Sequence, residues 1–128
     1  MAGIGEKAMK NKVNILGTEY AIKTIKISEC EMMQKEHWAG CCCEESKEIL
    51  VGDMSEKEYF PYMSDKEKDH YRKKVLRHEI THAFFNESGL SDSASIFGDA
   101  WAKNEEMIDW FAIQSPKIFK AFQEVGCL

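Results

Sequence analysis

The chain has 128 residues, with 17 basic and 22 acidic side chains and a formal charge of −5. That length suits one domain, residues 1–128, with a modest core, and the acidic balance disfavours a general nucleic-acid surface. No stretch approaches the roughly 18 apolar residues of a membrane span, and the opening MAGIGEKAMKNK lacks the apolar run of a secretion signal.

The protein is therefore expected to be soluble and cytoplasmic, with no nucleic-acid or membrane partner. Residues 1–11 are expected to be flexible. Lys12 to Leu16 alternates weakly and ends at Gly17, and Tyr20 to Ile27 alternates apolar residues with lysines. The two read as short strands joined near Gly17-Thr18. Ser28 to Lys35 is polar apart from Cys30, Met32 and Met33, and the two methionines are expected to fill irregular packing. His37 to Cys43 reads as a strand, Glu44 to Lys47 as a turn, and Glu48 to Val51 as the returning strand, stopped by Gly52-Asp53.

The five cysteines, Cys30, Cys41, Cys42, Cys43 and Cys127, are odd in number and three are adjacent. That is a poor disulfide framework and suits a reducing compartment. In a strand, Cys41 and Cys43 share one face and Cys42 takes the other.

Ser55-x-x-Glu58 offers a helix start that Pro61 soon breaks. Ser64-Asp65-Lys66-Glu67 is a stronger one, with the Ser and Glu of a capping box. A helix of about 23 residues should run from there to Glu87 or Ser88, before Gly89. It carries Val75, Leu76, Ile80, Ala83 and Phe84 as apolar support and contains His78-Glu79-Ile80-Thr81-His82.

That stretch matches H-E-x-x-H. Residues four apart on a helix share a face, so His78 and His82 can aim their imidazoles at one ion. Glu79 is displaced around the helix, where it can hold a water on that ion instead of binding it. Two neutral nitrogen ligands and a carboxylate base suit catalytic Zn2+.

Leu90 to Lys103 reads as a loop with Phe97 and Trp101 as anchors. Asn104 can cap a helix from Glu105 to about Gln114, which Ser115-Pro116 stops or kinks. Lys117 to Val125 reads as a final amphipathic helix packed through Ile118, Phe119 and Phe122. The result is an α+β fold: a small N-terminal sheet against the motif helix, closed by the last two helices.

A catalytic zinc usually has three protein ligands and an open position. Candidates for the third are Glu105, Glu106, Asp109, Asp92, Asp99 and His70, with His37 and Cys41 weaker. No His lies between residues 83 and 104, which excludes the metzincin pattern. An oxyanion donor could come from Tyr59, Tyr62, Tyr71, His37 or His70.

HEITH followed by EEMIDWFA resembles the short gluzincin-type zinc metallopeptidases of the ImmA/IrrE and phage-encoded kind. In that group the second helix reads approximately E-x-x-x-D/N-x-F-A, which Glu105, Asp109, Phe111 and Ala112 match in register. The resemblance covers roughly residues 35–115 and implies a minimal zincin-like fold and a phage or mobile-element origin. It also implies zinc held by His78, His82 and Glu105, Glu79 as general base, and Asp109 as acceptor behind a ligand imidazole. Two departures stand out: Ile108 occupies a position where the group has a small residue, and Glu106 stands beside Glu105.

The expected function is zinc-dependent hydrolysis of peptide bonds in a peptide or protein substrate, a metalloendopeptidase-like activity. The competing function is a protein-binding module that keeps the fold without useful turnover. Neighbours on a helix point about 100 degrees apart, so Glu105 and Glu106 should not serve equally. Glu105 shares its face with Asp109, which favours Glu105.

Overall fold

Alternation in the first half of the chain produces a sheet with one covered face. In the computed structural model, which describes residues 10–91 and 101–128, β1 (Lys12–Ile15) and β2 (Thr18–Ile25) form an antiparallel hairpin. Gly17 takes a φ of 95° in its turn, a conformation that favours glycine. β3 (Gly40–Cys43) and β4 (Glu48–Gly52) form a second antiparallel pair. β2 and β4 run parallel, Ala21 opposite Glu48 through Ile25 opposite Gly52, so the strand order is β1-β2-β4-β3. The sheet is mixed and the fold is α+β.

The parallel pair needs a crossover, and the crossover contains an element that the sequence does not announce. α1 (Glu31–Glu36) follows a 3-10 turn at Ile27–Glu29, where a polar connection is expected. Its N-cap, Cys30, makes no side-chain capping bond, so the usual signal is missing. Met33 on α1 is buried in the core, whereas Met32 is exposed. The strand expected from His37 begins only at Gly40. His37 instead caps α1 in the left-handed conformation, φ 58°, and the Trp38 N–H returns to the Met33 carbonyl.

Ser55-x-x-Glu58 starts no helix; the segment is a series of turns. Asp53 holds it, accepting from both the backbone N–H and the hydroxyl of Ser55.

α2 (Asp65–Glu87) has the expected length of 23 residues. Its capping box is formed: Ser64 Oγ accepts from the Glu67 N–H at 3.2 Å, and Glu67 Oε1 accepts from the Ser64 N–H at 3.0 Å. Val75 and Ala83 on α2 join Ile15, Tyr20, Ile49 and Val51 of the sheet, with Met54 and Phe60 from the turns, in the buried core. Phe84 points outward, contrary to expectation, while the ring of Phe85 packs edge-on against Trp101 with centroids 5.0 Å apart.

The C-terminal end of α2 is tied to the sheet. Glu87 Oε2 accepts from Tyr20 Oη at 2.6 Å and Lys47 Nζ at 2.8 Å. An acidic side chain opposes the helix dipole there. These donors offset that and hold the Glu87 carboxyl down at about 2, the Lys47 bond being the largest cause.

The last two expected helices are one. α3 (Glu105–Glu124) runs through Pro116 without interruption. Proline has no N–H, so the carbonyl four residues earlier, Ala112, loses its helical donor. Arg77 Nε of α2 donates to that carbonyl at 2.6 Å. The proline thus provides a docking point for the motif helix instead of a stop.

The face of α3 that packs is also different from the one expected. Ile108, Ala112 and Ser115 are buried, whereas Phe119 and Phe122 are more than 40% exposed. No described helix is long and apolar enough to cross a membrane. Residues 1–9, and the positions of Asp92, Phe97 and Asp99, lie outside the described residues.

Candidate metal centre

α2 passes between the sheet and α3, and the HEITH segment sits where all three meet. The imidazoles of His78 and His82 lie on one face, with ring centroids 4.9 Å apart. α3 starts beside them because Asn104 caps it, its Oδ1 accepting from the Met107 N–H at 2.7 Å. Glu105 is the first residue of that helix. One of its carboxylate oxygens lies 3.0 Å from His78 Nε2 and the other 3.0 Å from His82 Nε2. One turn on, Asp109 Oδ1 lies 3.3 Å from His78 Nδ1.

These contacts constrain the tautomers. If Nδ1–H of His78 donates to Asp109, the lone pair on Nε2 faces the Glu105 carboxylate. A lone pair and a carboxylate repel unless a proton or a cation lies between them. Burial draws His82 below its ordinary value, with Glu105 working in the opposite sense, so desolvation favours the neutral, ligating form.

Glu79 is 7% exposed, the most buried carboxylate of the site. Burial, and then the charge of Glu105, push its carboxyl up to about 8. A divalent cation nearby acts in the opposite direction and favours the carboxylate. Gly40 of β3 admits this side chain. A Cβ built there would stand 3.1 Å from Glu79 Oε2 and 2.7 Å from Val75 Cγ1. The missing side chain lets the edge strand approach the motif helix.

A cleft of about 630 Å³ opens over the group. Trp38, Gly40, Cys41 and Cys42 line one wall, and His78, Glu79, His82 and Asn86 of α2 line another. A second recess, about 340 Å³, shares His78, Glu79 and Glu105 and adds His37, Tyr71, Lys74 and Asp109.

Of the proposed oxyanion donors, His37 and Tyr71 therefore border the site. Burial raises the Tyr71 hydroxyl and keeps it a donor. Tyr59 lines a separate pocket with Tyr71, Tyr62 is fully exposed, and His70 is exposed and borders neither recess.

The donor atoms of His78, Glu79 and His82 all lie within 4.8 Å of one another, a group that could hold a metal ion. Glu105 supplies a further carboxylate, 3.0 Å from a nitrogen of each ring. Ligand atoms about 2.1 Å from a tetrahedral ion stand about 3.4 Å apart. The 3.0 Å separations of Glu105 from the two imidazoles need to widen by only a few tenths of an ångström to reach that value. Imidazole nitrogens and carboxylate oxygens together suit a divalent transition-metal ion.

Glu106 is exposed on the adjoining flank of α3, and Cys41 borders the cleft while its side chain alternates to the face of β3 opposite Gly40 and Cys42. Burial pushes the Cys41 and Cys42 thiols up to about 12. Sequence reasoning missed Arg77, which locks α3 and hence Glu105 in place through the Ala112 carbonyl. Its signal was the pairing of an arginine before the motif with a proline inside the second helix, visible only once the two helices are known to touch. Comparison with protein-family models, curated proteins and solved structures returns no match.

Proposed function

We propose that the chain is a zinc-dependent metallopeptidase with a minimal zincin-like fold. The observation that carries this is the single carboxylate of Glu105 spanning both imidazoles of the HEITH helix, with buried Glu79 beside them and Asp109 behind His78. His78, His82 and Glu105 would hold the ion, and Asp109 would keep Nδ1 of His78 protonated so that Nε2 is the ligand. Bound zinc supplies a water of lowered pKa and polarises the scissile carbonyl.

Glu79 would serve as the base, accepting a proton from the attacking water and returning it to the leaving amine. Its burial favours this cycle: a carboxylate in a low-dielectric wall binds a proton more readily than one in water. Tyr71 or His37, bordering the adjoining recess, can donate to the oxyanion. β3 is the edge strand of the sheet and contributes Gly40, Cys41 and Cys42 to the cleft wall, so an extended peptide can lie along it by backbone pairing.

The test is hydrolysis of a varied peptide set by the zinc-loaded protein and by Glu79→Gln, with metal content measured for both. The proposal requires cleavage by the wild type only, at equal metal content. Metal without cleavage by either protein supports the competing reading, a binding module.

A further inference from the structure

The cysteine triplet takes no part in the chemistry proposed above, and it has a geometry of its own. Cys41 and Cys43 lie two residues apart on β3, and their Sγ atoms are 3.8 Å apart. Cys42 points the other way, toward α2, where its Sγ accepts from Asn86 Nδ2 at 3.6 Å. The pairing of Cys41 with Leu50 and Cys43 with Glu48 fixes both backbone positions in a closed hairpin.

Two fates are open to such a pair, and the distances separate them. A disulfide needs the sulfurs at about 2.05 Å and Cα atoms no more than about 6.8 Å apart. Alternate residues of a strand are about 6.6–6.8 Å apart at Cα, the limit of that window, and the ladder resists their closing. Two thiolates about 2.3 Å from one tetrahedral ion stand about 3.8 Å apart. The sulfurs already have the spacing of a chelate, whereas a disulfide demands that they close by nearly half.

We propose that Cys41 and Cys43 form a second metal site, a two-thiolate chelate for a thiophilic divalent cation such as zinc or cadmium, separate from the histidine centre. On binding, each thiol gives up its proton to solvent and forms one metal–sulfur bond, with no change of oxidation state. Water completes the coordination, because Cys42 is turned away. Gly40 and Cys42 alternate toward α2, so the thiol pair stands on the opposite face of β3 from the histidines.

Cobalt(II) distinguishes this site from the histidine centre. Thiolate ligation gives a sulfur-to-cobalt charge-transfer band in the near ultraviolet, and imidazole and carboxylate ligation do not. The reduced, metal-free full chain should develop this band on cobalt addition. The band should persist in Cys42→Ala and in the double variant His78→Ala/His82→Ala, and fall to background in Cys41→Ser and in Cys43→Ser. Absence of the band from wild type overturns the proposal, as does its survival in Cys43→Ser. Loss of the band in the double histidine variant also overturns it, because Cys41 would then be a ligand of the histidine centre.

Discussion

Replacing Arg77 by Met tests how the second helix is held against the first. Arg77 Nε donates at 2.6 Å to the Ala112 carbonyl, and Ala112 is fully buried, so water cannot take over that bond. A hydrogen bond to a charged group contributes about 1.5–3 kcal/mol, and a buried carbonyl left without a donor costs about 1–3 kcal/mol. Arg77→Met keeps much of the apolar stem and should lower unfolding free energy by about 2 kcal/mol. The carbonyl is free only because Pro116 has no N–H. Pro116→Ala restores the helical donor, so it should recover most of that loss in the Arg77→Met background while changing the wild type less. The assay is urea unfolding of the four proteins, with unchanged slope as the condition for comparing midpoints. A coupling of about 1 kcal/mol or more exceeds the 0.3–0.5 kcal/mol scatter of independent sites. Additive effects would refute the latch, and zinc affinity should follow the same pattern because the latch positions Glu105.

Three further substitutions bear on the site directly. Asp109→Asn should weaken zinc binding about 10–100-fold, Glu105→Ala by more than that, and Glu106→Ala by no more than about twofold, as read by competition with a chelating dye. Loss of the metal in Glu106→Ala with retention in Glu105→Ala would overturn the ligand assignment. Away from the site, Glu87 makes a pH-dependent contribution. Its folded carboxyl sits at about 2 against an ordinary 4.5, so its stabilisation is complete above about 4.5 and is lost as pH falls toward about 2. The stability difference between wild type and Glu87→Gln should therefore shrink steadily from pH 5 to pH 2, and a constant difference would contradict the assignment.

Much of the fold was legible because local signals and tertiary packing agree. The box Ser64–Glu67 and the cap Asn104 set the starts of α2 and α3, and Ile49 and Val51 alternate into the core as the period-two pattern requires. α1 was hidden because six residues with an uncapped start carry no periodicity to read. The break expected at Pro116 failed for a tertiary reason: the missing backbone bond is replaced from another helix, a partner that no local window contains. Phe119 and Phe122 were expected inside because they are large and apolar, yet the close approach of α2 and α3 selects the smaller face of Ala112 and Ser115. Within the site, the four-residue spacing placed His78 and His82 together, and the Glu105–Asp109 spacing turned both carboxylates toward His78. The proximity of Gly40 to Glu79 was not legible, since it depends on how the sheet edge meets the helix.

The most direct test is a crystal structure of the zinc-loaded protein with anomalous data collected on both sides of the zinc absorption edge. The expected result is an ion bonded to His78 Nε2, His82 Nε2 and a carboxylate oxygen of Glu105, with Glu79 outside the coordination sphere and one position open toward the cleft. No ion between the two histidines, or an ion bonded to Glu79 in place of Glu105, would contradict it.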